Sequence, residues 1–118
     1  TKHLINSKTL ATMRPNAYLV NTARSGLVDE EAVVTALANG QLGGAALDVI
    51  DAEQGTSPSV TFGGRAIADV PNLLVTPHVA GQTIQALLNV GTSAWQDIQA
   101  IFSGSAPRYP FNQPKNPR

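Results

Sequence analysis

The stretch LVNTARSGLVDEEAV, residues 19–33, joins the end of an apolar run to the beginning of a helix. Leu19 and Val20 belong to a run of β-type residues, whereas Asp29 is a good helix N-cap with acidic residues directly after it. Arg24 stands between the two patterns. A permanent charge at the carboxyl end of a buried strand is costly unless it is paired or faces a wet cleft. The stretch therefore predicts a strand, a polar turn and a helix.

The same alternation continues along the chain. Helical patterns begin at an N-cap, either Asn6 or Ser7, and again at Asp29, and an apolar stripe at helical spacing runs from Thr83 to Gly104. The apolar runs are AYLVNT from Ala17, GGAALDVI from Gly43 and NLLVTPHV from Asn72. Because these runs are continuously apolar, they are typical of strands buried on both faces. The sequence predicts an α/β fold in which a parallel sheet is covered by helices.

Two regions lack either periodicity. Residues 51–69 are rich in Gly, Ser and Asp and predict a long loop, which in a compact domain tends to be functional or mobile. Residues 105–118 are proline-rich and predict an extended or disordered tail. We therefore expect one domain over residues 1–104, followed by this tail.

Composition excludes several function classes. The 118 residues carry eight basic and eight acidic side chains, so charge gives no case for nucleic acid or for an anionic membrane. The absence of cysteine excludes disulfides, thiolate nucleophiles and zinc–thiolate sites, and a cytoplasmic location is the default expectation. The apolar runs are too short to cross a bilayer. A small neutral or anionic ligand is expected, and the start at Thr1 suggests that upstream sequence has been removed.

Polar residues follow each predicted strand. In open parallel sheets, ligands bind outside the carboxyl ends of the strands. The residues delivered to that edge are Asn21, Thr22 and Arg24 after the first run, Asp48 and then Glu53 after the second, and Thr76 and His78 after the third. An arginine, a carboxylate and an imidazole are therefore predicted to meet at one edge of the sheet.

Residues 4–49, LINSKTLATMRPNAYLVNTARSGLVDEEAVVTALANGQLGGAALDV, and residues 72–83, NLLVTPHVAGQT, carry a family resemblance. Together they resemble the second half of the nucleotide-binding domain of D-isomer-specific 2-hydroxyacid dehydrogenases, the family of phosphoglycerate, glycerate and glyoxylate/hydroxypyruvate oxidoreductases. The resemblance implies the carboxyl-terminal half of a Rossmann-type domain. No G-x-G-x-x-G occurs in the chain, so the first half of that domain and the substrate domain are expected upstream.

The resemblance implies three catalytic roles. Arg24 would bind the substrate carboxylate, His78 would act as the acid/base, and Glu53 would orient the histidine. The family glutamate is usually followed closely by proline, whereas AEQG stands here, and Asp51 is the alternative carboxylate. A histidine that protonates near neutral pH suits reduction of a 2-oxo acid, and the planar fork of arginine suits a carboxylate.

The resemblance also implies a nicotinamide cofactor. Asp48 and the backbone around Thr22 and Ala23 would hold the carboxamide, and the segment from His78 to Gly81 would lie against the ring. The implied cofactor-binding residues are Asn21, Thr22, Ala23, Arg24, Asp48, His78, Ala80 and Gly81. NAD and NADP both stay open, because the residue that reads the ribose 2′ position follows an upstream strand. A small 2-hydroxy or 2-oxo acid substrate, no metal and a homodimer complete the expectation.

Simpler roles exist for the same residues. Arg24 could be a surface ion-pair partner, His78 a loop residue, Asp48 the cap of a turn and Glu53 a solvated carboxylate. The apolar stripe over residues 84–102, which includes Trp95, is most simply explained as core and interface packing. The family that the chain resembles also includes transcriptional corepressors that sense nicotinamide nucleotides, so a binding protein without turnover is the alternative function.

Overall fold

The computed structural model describes residues 1–54 and 60–110, without the side chains of Glu53 and Gln54. The chain forms two compact units, Thr1–Ala80 and a second unit that begins at Gly81. The helices are α1 (Ser7–Ala11), α2 (Glu30–Ala38) and α3 (Ile84–Phe102), with short 3-10 helices at Ser25–Leu27, Asp51–Gln54 and Ile67–Asp69. The strands are β1 (Ala17–Asn21), β2 (Leu42–Leu47), β3 (Thr61–Phe62), β4 (Arg65–Ala66) and β5 (Leu73–Val75).

The first unit is built on a parallel sheet in the order β1-β2-β5. Each of the three apolar runs supplies one strand, and the register pairs Asn21 with Leu47 and Leu47 with Val75. The three strands therefore end level with one another. This confirms the predicted parallel sheet and brings the residues that follow each strand to the same edge.

Side chains alternate across this sheet, and only one of its faces is buried. Leu19 and Leu47 belong to the core beneath α2, whereas Tyr18, Val20 and Leu74 on the other face are 75%, 69% and 62% exposed. The prediction that both faces are buried is wrong for the described residues. The physical reason is that α2 packs on β2 and α1 packs on α2, so the helices of this unit cover a single face.

Side-chain caps begin all three of the described α-helices, and the sequence predicts the first two of these caps. Asn6 accepts hydrogen bonds from the backbone N–H groups of the first turn of α1, and Asp29 accepts one from Ala32 at the start of α2. Thr83 does the same for Ala86 in α3. Such caps satisfy N–H groups that have no partner within the helix, so they fix where each helix begins.

The segment predicted as a long loop contains regular structure. Strands β3 and β4 form a hairpin around Gly63 and Gly64, whose φ angles of 53° and 78° suit a tight two-residue turn. Phe62, directly before the turn, has no exposed surface and belongs to the core. The loop prediction is therefore wrong for residues 60–69, because one buried aromatic anchors a hairpin too short to show a period. Residues 55–59 lie outside the described residues.

The second unit consists of α3 and the segment after it. Its apolar stripe is exposed, with Trp95 60% and Phe102 89% accessible, and the expectation that this stripe packs in a core or an interface stays a prediction. Arg108 lies against α3, where its Nε donates to Asp97 Oδ1 at 3.1 Å and a terminal nitrogen donates to the Ser93 carbonyl at 2.9 Å. The beginning of the predicted extended tail is thus tied to the preceding helix. No described helix is long and apolar enough to cross a membrane.

Candidate active site

The turn after β1 is shaped by Asn21. This side chain is buried, its Oδ1 accepts a hydrogen bond from the Ala23 N–H at 3.0 Å, and its Nδ2 donates to the Arg24 carbonyl at 3.0 Å. These contacts form an Asx-type turn, which asparagine makes by bonding the backbone that follows it. Asn21 therefore organises the backbone from Thr22 to Arg24 and leaves these three residues exposed.

Arg24 lies on the surface at the carboxyl end of β1. Its Nη1 donates to the carbonyl of Ala23 at 2.6 Å, and no ion pair with Arg24 is found within the described residues. An exposed guanidinium stays solvated, so its charge carries no desolvation penalty here. The planar donor fork is available to an anion at this edge.

Asp48 is the buried carboxylate at the edge, with 4% of its surface exposed. Its Oδ1 accepts hydrogen bonds from the Thr76 hydroxyl at 2.5 Å and from the Val79 N–H at 3.0 Å. Its Oδ2 accepts one from the Ala80 N–H at 2.9 Å. The residue that closes β2 thus holds the segment that follows β5.

The same contacts set the charge of Asp48. The Thr76 hydroxyl, followed by the backbone N–H groups of Ala80 and Val79 and the charge of His78, holds the pKa of Asp48 below its ordinary value, although burial opposes this. Hydrogen bonds donated to a carboxylate favour its ionised form. Asp48 is therefore an anion near neutral pH.

His78 occupies a strained backbone position beside this carboxylate. Its φ angle is 55°, in the left-handed region that non-glycine residues seldom adopt. Its N–H donates to the carbonyls of Asp48 and Thr76, both at 3.0 Å. His78 is an exposed residue. Strain of this kind persists only where surrounding contacts enforce it, and it is concentrated at functional sites.

A hollow opens at the same edge, on the uncovered face of the sheet. Apolar side chains form most of it, and polar groups occur at its rim; the lining residues include Val20, Thr22, Ala46, Asp48, Leu74 and Thr76. An apolar floor with a few polar groups suits a flat heteroaromatic ring that carries an amide. The residues present therefore fit the nicotinamide end of a dinucleotide.

Three predicted site residues are not brought together by the described structure. The backbone of Glu53 lies in the 3-10 helix Asp51–Gln54, but its side chain is outside the described residues. Asp51, the alternative carboxylate, is exposed. Gly81 begins the second unit. Among the residues described, no group of three His, Asp or Glu side chains could hold a metal ion.

The fold and this edge define the class of protein as an α/β protein with polar residues at the carboxyl ends of a parallel sheet. Residues 1–80 match the family described as D-isomer specific 2-hydroxyacid dehydrogenase, NAD binding domain. This match covers more than half of the chain. The chain therefore belongs to that family, as its motifs predict.

Relatives and solved structures support this membership. D-3-phosphoglycerate dehydrogenase of Synechocystis sp. is 38% identical over 114 residues, which cover 97% of this chain and 19% of that protein. D-lactate dehydrogenase with NAD+ from Lactobacillus jensenii has a TM-score of 0.74 at 28% identity, and the match covers 96% of this chain and 36% of that one. A D-isomer specific 2-hydroxyacid dehydrogenase from Xanthobacter autotrophicus Py2, in complex with NADPH and MES, has a TM-score of 0.71 at 31% identity, with coverage of 99% and 43%. The chain thus spans about a fifth of the curated relative's length.

Proposed function

We propose that this chain supplies the acid/base and carboxylate-binding edge of a nicotinamide-dependent oxidoreductase that interconverts small 2-hydroxy and 2-oxo acids. The observation that supports the proposal is that three parallel strands end level with one another and that Arg24, Asp48 and His78 follow their carboxyl ends. Family membership gives this edge its chemistry. Without the family membership, the same residues at this edge would fit many small anionic ligands.

The chain's own residues have separate tasks in this reaction. The bound nicotinamide nucleotide supplies or takes up hydride. Arg24 binds the substrate carboxylate through its planar fork and so orients the neighbouring carbonyl. His78 gives a proton to the carbonyl oxygen during reduction and removes one from the hydroxyl during oxidation.

Cofactor contacts are proposed for the remaining residues at the edge. Asn21 shapes the turn so that the backbone at Thr22 and Ala23 is exposed toward a bound carboxamide. The hollow beside Asp48 offers an apolar surface for the ring. The segment from His78 through Ala80 to Gly81 would lie against that ring. Because the similar solved structures include both an NAD+ and an NADPH complex, we propose a nicotinamide nucleotide without choosing between NAD and NADP.

Glu53 is proposed as the carboxylate that orients His78, with Asp51 as the alternative. The support is position: both belong to the 3-10 helix that begins four residues after β2 ends. A carboxylate beside an imidazole favours the protonated ring and fixes its orientation. The division of the chain into a nucleotide-binding part over residues 1–104 and a tail stays a prediction, as do the homodimer and the cytoplasmic location. No observation favours the corepressor alternative.

The test is an assay of the full-length parent protein with glyoxylate and hydroxypyruvate, each with NADH and with NADPH. We expect turnover of at least one pair. Arg24→Lys should then raise KM for the 2-oxo acid by roughly tenfold to a hundredfold, because a point charge cannot reproduce two parallel hydrogen bonds. Arg14→Lys is the matched control, since Arg14 is also an exposed arginine and precedes β1, at the opposite end of that strand. No turnover of either 2-oxo acid with either cofactor, or equal KM values for the two variants, contradicts the proposal.

A further inference from the structure

The segment from Thr76 to Ala80 has no regular secondary structure, yet its backbone is held at several points by Asp48. One carboxylate oxygen binds the Val79 N–H and the other binds the Ala80 N–H. The Asp48 carbonyl also accepts the N–H of His78. One residue at the end of β2 thus binds three consecutive N–H groups, and His78 is the first of them.

Thr76 in turn holds the Asp48 side chain through its hydroxyl group. Its hydroxyl donates to Oδ1 of Asp48 at 2.5 Å, and its own N–H donates to the Leu47 carbonyl at 3.0 Å. The second bond continues the parallel pairing of β5 with β2 by one residue. Thr76 is therefore fixed by the sheet and presents its hydroxyl to the carboxylate from a rigid position.

We propose that Thr76 is a positioning residue for His78: its hydroxyl fixes the Asp48 carboxylate in the orientation that binds the Val79 and Ala80 N–H groups, and this holds the strained backbone at His78. The inference rests on the proposed function only in taking His78 as the acid/base. The clamp itself, defined by Asp48, Thr76, Val79 and Ala80, is a feature of the described residues.

The geometry explains why a hydroxyl is needed at position 76. A carboxylate has about four acceptor positions, and three of those on Asp48 are filled by the contacts of the clamp. A buried charge is stable only when its acceptor positions are satisfied. Without the hydroxyl, Oδ1 would face an apolar group in a site where only 4% of Asp48 is exposed. The carboxylate would then turn toward water and release the two N–H groups.

The pKa of Asp48 is consistent with this role. Among the influences that lower this pKa, the hydroxyl of Thr76 is the largest, ahead of the two N–H groups and the charge of His78. Loss of that hydroxyl thus removes the strongest single stabiliser of the ionised form. The clamp works only while Asp48 is ionised, because a protonated oxygen is a poorer acceptor.

The experiment compares Thr76→Val and Thr76→Ser in the full-length parent protein, with Thr35→Val as control. Thr35 also uses its hydroxyl, toward the Glu31 carbonyl, but on the exposed side of α2. We expect Thr76→Val to lower kcat by roughly tenfold to a hundredfold with a smaller change in KM, because slight misplacement of a reacting group has effects of this size. Thr76→Ser should restore kcat, and Thr35→Val should leave it unchanged. Thr76→Ala is a second hydroxyl-free variant should valine prevent folding.

Amide hydrogen exchange gives a readout that does not depend on turnover. The N–H groups of Val79 and Ala80 should exchange faster in Thr76→Val than in the unaltered protein, and Thr76→Ser should restore their protection. Unchanged exchange at both amides overturns the clamp. Faster exchange with kcat unchanged overturns the positioning role. An unaltered protein without turnover contradicts the proposed function instead, and the exchange data still decide whether the clamp exists.

Discussion

The Glu30 carboxylate and the Gly63 N–H are joined by a hydrogen bond of 3.0 Å, although 33 positions separate them in the chain. The other oxygen of Glu30 accepts the Asp51 N–H at 2.7 Å. The first residue of α2 therefore ties down both the turn of the β3–β4 hairpin and the 3-10 helix after β2. From the sequence, Glu30 is only an acidic residue that favours a helix N-terminus. The bond from the Gly63 N–H to Glu30 helps to hold the β3–β4 hairpin, although the sequence of this segment has no periodicity.

Glu30→Gln should loosen these two attachments. Glutamine has one acceptor oxygen, so it cannot accept both N–H groups in the geometry that the two carboxylate oxygens allow. We expect a loss of about 1 kcal/mol in the free energy of unfolding, measured by denaturant titration. Glu31→Gln, a change at the exposed neighbouring position, is the control and should have a smaller effect. Equal stability of the two variants would show that the Glu30 contacts contribute nothing.

Gly63 and Gly64 offer a matched test of close packing in the hairpin. Both have positive φ angles, but a Cβ at Gly63 would lie 2.8 Å from the Glu30 carbonyl oxygen and 2.9 Å from a Val34 methyl, whereas one at Gly64 would meet nothing within 4 Å. Gly64→Ala should cost about 1 kcal/mol, which is the price of an alanine in the left-handed region. Gly63→Ala should cost distinctly more, because the clash adds to the same backbone strain. Melting temperatures that fall equally would remove the packing argument.

The fold was predictable where local and long-range signals agree. Asp29, Val33 and Leu37 mark α2 by a cap and an apolar stripe, and the structure has the helix at Glu30–Ala38. The apolar runs likewise predict β1 and β2, which the structure has at Ala17–Asn21 and Leu42–Leu47. Burial was harder to predict. Tyr18 and Val20 belong to a run that is typical of a buried strand, but they lie on a face without a covering helix. The type of a residue indicates which environment its side chain favours, but not whether another element covers that side chain.

The site was predictable in position more than in role. Parallel strands of apolar residues force Arg24, Asp48 and His78 to one edge, and this needs only the strand directions. The clamp on Thr76 to Ala80 was not predictable, because it depends on one carboxylate that binds residues 28 to 32 positions away. The positive φ of His78 likewise follows from these contacts rather than from a local signal. Asn21 was predicted at this edge, and its turn-forming role was also predictable, since asparagine at the end of a strand often closes an Asx turn.

The contribution of Asp48 to the free energy of unfolding should depend on pH. The hydrogen bonds of its carboxylate determine whether this contribution falls in acid or in base. The Thr76 hydroxyl, together with the loop N–H groups, lowers the pKa of Asp48 in the folded state below its ordinary 3.8. The unfolded state therefore binds this proton first as the pH falls, and the stabilisation, complete above the ordinary value, is lost as pH falls through the lowered pKa. Asp48→Asn should be less stable than the unaltered protein at pH 7, and the difference should shrink in acid. Asp69→Asn, at an exposed aspartate, is the control; a difference that grows toward low pH would contradict the assignment.

The two histidines provide the sharpest test of the acid/base role, because they share a backbone conformation. His78 and His3 have φ angles of 55° and 51°. Asparagine is among the few residues enriched in this left-handed region, so His78→Asn and His3→Asn both remove an imidazole without adding backbone strain. In the full-length parent protein, His78→Asn should lower kcat by roughly a hundredfold to ten-thousandfold, the usual contribution of general acid/base catalysis. Both variants should keep a melting temperature close to that of the unaltered protein, which separates chemistry from folding. If His3→Asn reduced kcat as much as His78→Asn, or if His78→Asn retained most of it, His78 would not be the proton donor.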